Sequence, residues 1–227
     1  MLTATEIEAN KNKYCNLFKD LIIPEYGDSA RALLEWIAQT DFFEAPASTR
    51  YHNSFKGGLC DHSLNVYNRL IKNLEAEYGK DFCKNEIYQS ECRLNLGGLA
   101  LIALCHDLCK CQYYEIAYRN EKEYRSNGSK HDEKGNFEWV VKEYYTTNPK
   151  FNFGHGSKSV FLVQNFITGI SLDEALPIRF HMMGREYPGR DFSEDEAFSS
   201  MNEFPLVLFL ATADLQATYL DERQLKE

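Results

Sequence analysis

The most constraining feature of this chain is a histidine–aspartate pair at the end of an unbroken apolar run. Residues 99–105 are all apolar, and His106 and Asp107 follow them directly. An unpaired charge beside a hydrophobic core carries a large desolvation penalty, so the aspartate needs a partner that neutralises it. Imidazole and carboxylate are both good ligands for first-row divalent metals. The pair therefore predicts a metal-binding position at the end of a buried helix.

Four further residues of the same kind stand beside apolar or small residues elsewhere in the chain. Taken singly, each histidine is better explained as a hydrogen-bonded core residue than as a metal ligand, and the aspartate is explained equally well as half of a buried salt bridge. Taken together they exceed what independent core residues would supply, because the chain has only six histidines. These candidate ligands are His62, His155, His181 and Asp214.

The two remaining histidines are not predicted to be ligands. His131 lies in a polar, turn-like stretch and is expected to be solvated. His52 precedes the Gly57-Gly58 turn, close enough to line a pocket. Three cysteines near the pair, at 105, 109 and 111, raise the alternative of a zinc–thiolate site. Buried thiols are favoured instead, because no second cysteine pair stands at zinc-ribbon spacing.

The pattern along the chain predicts one mostly α domain over residues 1–227 with a small inserted β-hairpin. Apolar residues recur at helical spacing in most segments, and Pro24 is expected to end the first helix. The insertion is instead rich in β-branched and aromatic residues around a polar turn. The predicted helices span 4–22, 28–38, 59–78, 95–109, 155–168, 172–183 and 205–222, with N-terminal helices in 1–45, a metal-site core in 46–222 and the hairpin at about 112–147.

The composition limits the classes of partner. A formal net charge of −9 argues against long nucleic acid, although cations and metals in a pocket can still bind a small anion. Seven cysteines without a regular framework suit thiols in a reducing cytosol. The N-terminus lacks a signal-peptide pattern, and no apolar stretch approaches the ~20 residues that span a bilayer. We therefore expect a cytoplasmic protein with no membrane partner.

The ordered series of candidate ligands resembles the HD-domain metal-dependent phosphohydrolases, an all-helical superfamily. Residues 57–63 are similar to the Gly-Gly-Leu-x-x-His-Ser/Thr opening of that family, and residues 106–110 to its His-Asp-x-x-Lys core. Residues 154–160 and the Ala213-Asp214 pair complete the likeness, which spans residues 46–222.

The resemblance implies a two-ion centre. His62, His106, Asp107 and Asp214 would bind one ion, and Asp107 with His155 and His181 would bind the second. Such a mixed set suits Mn, Fe, Co, Ni or Zn better than Mg alone. Two ions can lower the pKa of a water and neutralise charge on a phosphoryl group. The expected activity is hydrolysis of a phosphate ester or anhydride in a nucleotide or similar small phosphorylated metabolite.

Cationic side chains near the series are candidates for holding the phosphate. Asp107 and Lys110 are the expected catalytic residues, and Asp61 is either a proton-transfer group beside His62 or an exposed helix residue. The expected substrate-binding residues are Lys110, Lys158, Lys56 and Arg185, with Arg190 in the same loop.

Two alternatives remain open at this point. An oligonucleotide phosphodiesterase of the same superfamily would need a basic groove, which the acidic composition does not favour. A non-catalytic metal- or nucleotide-binding sensor would keep the helical scaffold without turnover, although an intact ligand set argues against it.

Overall fold

The computed structural model of the protein describes residues 1–151, 153–183 and 192–223, and it is mostly helical with a small three-stranded sheet. Within these ranges no helix is long and apolar enough to cross a membrane. The helices are α1 (Ala4–Leu17), α2 (Ile23–Gln39), α3 (Gly58–Tyr78), α4 (Glu86–Glu91), α5 (Leu96–Cys105), α6 (His155–Gln164), α7 (Leu172–Phe180), α8 (Phe192–Glu203) and α9 (Pro205–Gln216). The strands are β1 (Tyr114–Tyr124), β2 (Lys130–Asp132) and β3 (Gly135–Thr147), and shorter turns of π- or 3₁₀-helix cover Phe18–Ile22, Phe82–Lys84, Leu108–Lys110 and Ala217–Asp221.

Helix α5 is the central element of the core. All of its residues from Gly97 to Cys105 are buried, because α3, α7 and the π-helical turn Phe18–Ile22 pack around it. A helix that is apolar on every side is stable only in such surroundings. Its C-terminal end therefore delivers His106 and Asp107 into the interior of the protein.

The predicted break at Pro24 is wrong. Pro24 lies in the first turn of α2, where its missing N–H would have had no helical partner. The chain changes direction at Gly27 instead, which has φ 61°. Glycine adopts this left-handed conformation without the penalty that a Cβ atom imposes.

The insertion at 112–147 is a three-stranded sheet rather than a simple hairpin. β1 and β3 pair antiparallel from Tyr114↔Thr147 to Tyr124↔Phe137, and the short β2 pairs with the other edge of β3. The stretch that was expected to be only a turn thus contains a strand. One face of the β1–β3 ribbon carries a row of exposed apolar side chains: Ile116, Tyr118, Trp139 and Val141.

Two helices were not predicted, and several predicted helices end earlier than expected. α4 begins after Asn85, whose side chain accepts hydrogen bonds from two backbone N–H groups. α8 is mostly polar, and its Ala197 packs with Phe180 and Val207 in a small second cluster. The predicted helices 95–109, 155–168 and 172–183 end at Cys105, Gln164 and Phe180, whereas the segment predicted over 205–222 is helical to Asp221, through α9 and the π-helical turn that follows it.

We expect Tyr14→Phe to lower the free energy of unfolding by about 1 kcal/mol. The buried hydroxyl of Tyr14 donates to the carbonyl oxygen of Leu104 at 3.1 Å and so joins α1 to the end of α5. Urea denaturation would measure the loss. Tyr118→Phe is the matched control, because the Tyr118 side chain is exposed on the ribbon. Equal stability of both variants and the wild type would contradict the prediction.

Candidate metal centre

The end of α5 turns sharply so that the histidine and the aspartate face the same interior space. His106 closes the helix, and Asp107 leaves helical geometry with φ −108° and ψ 19°. The following 3₁₀ turn brings Lys110 back to the pair, with its Nζ 2.6 Å from Asp107 Oδ2. His106 and Asp107 are both buried.

The first predicted group of ligands lies together in the structure. His62 Nε2 is 3.1 Å from Asp214 Oδ1, 3.3 Å from His106 Nε2 and 3.6 Å from Asp107 Oδ2. His62 comes from α3 and Asp214 from α9, and these two helices pack against each other. Helix packing therefore brings together residues that are far apart in the sequence.

The second predicted group shares the other oxygen of the same aspartate. His155 Nε2 is 2.8 Å from Asp107 Oδ1, and His181 Nε2 is 3.5 Å from that oxygen. His155 begins α6, and His181 closes α7. Asp107 thus lies between the two groups, with Oδ2 toward His62 and Oδ1 toward His155 and His181.

Outer hydrogen bonds orient three of the imidazole rings. The Nδ1 atoms of His106 and His181 each lie 2.7 Å from the backbone carbonyl three residues earlier. The Nδ1 of His62 lies 3.0 Å from a carboxylate oxygen of Glu222. With Nδ1–H donating outward, each Nε2 faces the centre, which is the arrangement that orients metal-ligating histidines in proteins.

The charges in the centre attract a cation. Three buried carboxylates, those of Asp107, Asp214 and Glu222, lie within 3.6 Å of the His62 ring nitrogens, and that of Asp107 also pairs with the Lys110 ammonium. Although burial opposes a charged ring, the Glu222 and Asp214 carboxylates raise the pKa of His62 to about 10. The centre therefore draws a proton onto His62, and a divalent cation could take the place of that proton.

An unpartnered nitrogen provides a direct test of whether a metal fits. Among the described residues, the buried His181 Nε2 has no hydrogen-bond partner, because its 3.5 Å separation from Asp107 Oδ1 is too long. Buried polar atoms are rarely left unpaired. Donor atoms lie within 4.8 Å of one another in four groups that could hold a metal ion: His62, His106 and Asp214; His106, Asp107 and His181; Asp107, Cys109 and His155; and His52, His62 and Glu222.

A cavity of about 910 Å³ opens onto the centre. Asp107, His155 and Asp214 reach its wall, and Lys110 and Arg223 add positive charge. Most of the other lining residues come from the loop after α2, the base of the ribbon and the chain after α9. They include Ser48, Tyr51, His52, Tyr113, Tyr114, Thr147, Tyr219 and Glu222.

The other predicted substrate-binding residues that the structure describes do not line the cavity. Lys158 is buried next to Tyr113, whose side chain lines the cavity. Its ammonium lies 5.7 Å from the Tyr113 ring centroid and 4.5 Å from that of Phe151. Lys56 does not line the cavity and pairs with Glu44 at 3.2 Å. Arg185 and Arg190 lie outside the described residues.

Asp61 is neither a freely exposed helix residue nor in contact with the centre. Its carboxylate accepts hydrogen bonds from Asn10, Asn53 and Asn65. Asn65 also donates to Glu222, at 3.1 Å. Asp61 is thus linked to His62 through two intermediate side chains.

Sequence reasoning missed Glu222 and the contact that Cys109 makes with His155, whereas its expectation that His52 could line a pocket is confirmed. Glu222 stands in a charged run, Asp221-Glu222-Arg223, that is typical of solvated surface. For Cys109 a buried thiol was favoured over a zinc–thiolate ligand, and the structure places its Sγ 3.1 Å from His155 Nδ1. His52 lines the cavity with its ring centroid 4.9 Å from that of His62, and burial lowers its pKa to about 4.

Comparisons of the chain with known proteins found no match to a family model, to a curated protein or to a solved structure. The residues and geometry described above are therefore the basis for a functional assignment.

Proposed function

We propose that this protein is a metal-dependent phosphohydrolase of the HD type that cleaves a phosphate ester or anhydride bond of a nucleotide or similar small phosphorylated metabolite. The observation that carries the proposal is a buried cluster beside an open cavity. It consists of Asp107, Asp214 and three imidazoles that are oriented through Nδ1, those of His62, His106 and His181. The proposed ligands of the two ions are His62, His106, Asp107, His155, His181 and Asp214.

The ions would supply the chemistry that these side chains lack. Bound divalent ions neutralise charge on a phosphoryl oxygen and lower the pKa of a water, so that it attacks phosphorus near neutral pH. The mixed nitrogen and oxygen donor set favours Mn, Fe, Co, Ni or Zn over Mg alone.

The protein side chains would bind and orient the substrate. Lys110 holds Asp107 Oδ2 and also lines the cavity, so its ammonium lies where an incoming phosphate would approach Asp107. Arg223 adds a second cation to the wall. Glu222 keeps the His62 ring in place through Nδ1. Because phosphoryl transfer needs little covalent help from protein groups, such positioning and charge account for most of the expected rate enhancement.

The cavity wall favours a nucleotide over a small inorganic or sugar phosphate. Tyr51, Tyr113, Tyr114 and Tyr219 line the same cavity as the two cations. Aromatic rings stack on the faces of bases, and cations bind phosphate oxygens. A cavity that offers both surfaces can hold both ends of a nucleotide.

The test of this proposal is phosphate and pyrophosphate release from nucleoside mono-, di- and triphosphates by protein loaded with manganese, iron or zinc. We expect Asp107→Ala to reduce turnover on the order of 10³-fold or more, because it removes several kcal/mol of charge stabilisation. Asp81→Ala is the matched control, since Asp81 is exposed in its own small ion pair. Absence of turnover in metal-loaded protein would contradict a nucleotide phosphohydrolase and favour a sensor.

One observation favours an oligonucleotide as the second candidate substrate. Tyr114 and Thr147 line the cavity and also form the base of the β1–β3 ribbon. From there the exposed apolar face, with Tyr118 and Trp139, continues away from the cavity, and such rings can stack on the bases of a single strand. If this candidate is right, Trp139→Ala lowers turnover of a short single-stranded oligonucleotide without affecting a mononucleotide.

A further inference from the structure

The imidazole of His155 is held between two residues of one backbone turn. Its Nε2 lies 2.8 Å from Asp107 Oδ1, and its Nδ1 lies 3.1 Å from Cys109 Sγ. The sulfur therefore contacts the edge of the ring that faces away from the centre. We propose that Cys109 is a positioning residue for the second ion, which keeps the Nε2 of His155 directed at that ion through a hydrogen bond at Nδ1. The inference rests on the proposed metal centre.

The other three histidines of the centre have an outer partner at the same ring position. The Nδ1 atoms of His106 and His181 face backbone carbonyl oxygens, and that of His62 faces a carboxylate. These oxygens accept hydrogen bonds, so each of them holds its ring with a proton on Nδ1 and with Nε2 directed at the metal. Cys109 occupies the equivalent position at His155.

His155 is the least enclosed of the four histidines and so depends most on such a partner. Its side chain is 27% exposed, whereas those of His62 and His181 are each 1% exposed. His155 is also the first residue of α6, where no preceding helical turn lies under the ring. Because packing confines the ring less, contacts at both of its nitrogens have to fix its orientation.

The backbone fixes the sulfur against the ring. Cys109 is buried and lies in the 3₁₀ turn that directly follows Asp107. Its backbone N–H donates to Ser159 Oγ at 3.1 Å, and Ser159 lies one helical turn after His155 in α6. Asp107 and Cys109 thus reach the two ring nitrogens of His155 from a single turn, which is itself tied to the helix that carries the ring.

A thiol differs from a carbonyl oxygen because it can donate a hydrogen bond as well as accept one. In the metal-free protein, the contact with Asp107 Oδ1 places the proton of the neutral His155 ring on Nε2, and the Cys109 S–H donates to Nδ1. Metal binding at Nε2 removes that proton and requires one on Nδ1, which then donates to the sulfur. The ring loses one proton and gains one, so it stays neutral, and Cys109 supports it in both states.

Metal affinity tests the inference on the full-length protein. Metal-free protein is titrated with Zn²⁺ by calorimetry, and the bound zinc is counted by elemental analysis. Cys109→Val is close to cysteine in volume but cannot form the hydrogen bond, and we expect its affinity for the second ion to fall about 10- to 100-fold. Cys109→Ser keeps a donor and an acceptor and is expected to recover most of this loss. The affinity for the first ion is expected to stay unchanged in both variants.

Cys111→Val is the matched control for the loss of a thiol. Cys111 is buried two residues away and belongs to none of the donor groups found among the described residues. Its substitution is expected to leave the affinity for both ions as in the wild type.

The position of the His155 proton gives a second readout, which mere packing of the thiol would not move. In nitrogen-15 NMR spectra of histidine-labelled wild-type protein, we expect this proton to move from Nε2 to Nδ1 when zinc is added. The wild-type spectra decide the matter even if a variant fails to fold.

The outcomes separate this inference from the proposed function. A proton that stays on one nitrogen, or equal affinity for the second ion in Cys109→Val and the wild type, would overturn the inference and leave the centre intact. Absence of bound zinc in the wild type would overturn both. The expected loss of affinity in Cys109→Val, in a protein that hydrolyses no nucleotide, would support the inference and contradict only the phosphohydrolase.

Discussion

Removal of bound divalent metal is expected to lower the melting temperature of this protein by about 8 to 16 °C. An ion present at a thousand times its dissociation constant stabilises the folded state by about 4 kcal/mol. For a chain of this length, each kcal/mol shifts the melting temperature by roughly 2–4 °C. The measurement is thermal unfolding of zinc-loaded protein before and after dialysis against a chelator, with elemental analysis of each sample.

The physical reason for this effect is the charge in the centre. Without an ion, the carboxylates of Asp107, Asp214 and Glu222 face mainly Lys110 and a protonated His62, and buried charge without full compensation destabilises the folded state. A bound ion would reduce this imbalance and would also give His181 Nε2 a partner.

Asp107→Asn is the informative control for metal removal. Its neutral side chain keeps the shape of the aspartate but removes the charge shared by both groups, so its melting temperature should not respond to the chelator. Asp81→Asn should respond like the wild type, since Asp81 is exposed on the surface. An identical melting temperature for metal-loaded and chelated wild-type protein would argue against a metal-stabilised centre.

The candidate ligands could largely be predicted from the sequence because polar and charged side chains that stand in apolar runs are conspicuous. His106 and Asp107 follow a run that has to be interior, and Asp214 stands in an equally apolar helix. Polar groups in such positions need partners, and His62, His155 and His181 are of the matching type. The structure brings all six within a few ångströms of Asp107 or His62.

Glu222 could not be predicted because nothing local distinguishes it from a surface charge. It contacts His62 across 160 positions in the sequence, through the π-helical turn Ala217–Asp221 that follows α9. Cys109 escaped for a different reason, since a thiol beside apolar residues is usually a core residue. Only the three-dimensional position of His155 shows that Cys109 contacts a residue of the centre.

The fold errors have a common origin in tertiary contacts. Pro24 is tolerated because it lies in a first helical turn, and Gly27 supplies the change in direction. The polar α8 shows little apolar periodicity, because a single apolar residue of its described part, Ala197, is fully buried. β2 has only three residues and exists because β3 offers it a free edge. Local patterns are weak evidence for elements whose stability comes from a neighbour.

Gly156→Ala is expected to destabilise the protein by about 3 kcal/mol, with a fall in melting temperature of roughly 6–12 °C. A Cβ atom at Gly156 would lie 2.0 Å from the backbone carbonyl oxygen of Arg179. Because the obstacle is backbone, no side-chain rotation relieves it, and α6 has to move away from α7. Gly169→Ala is the matched control in the connection between these helices, since its Cβ would meet no atom within 4 Å.

The same substitution separates the two halves of the centre. Moving α6 carries His155 away from Asp107 and His181, whereas His62, His106 and Asp214 come from other helices. We therefore expect Gly156→Ala to bind one equivalent of metal where the wild type binds two, and Gly169→Ala to bind two. Metal content would be measured below the melting temperature of the variant. Two equivalents in Gly156→Ala would show that the close contact of α6 with α7 does not position the second ion.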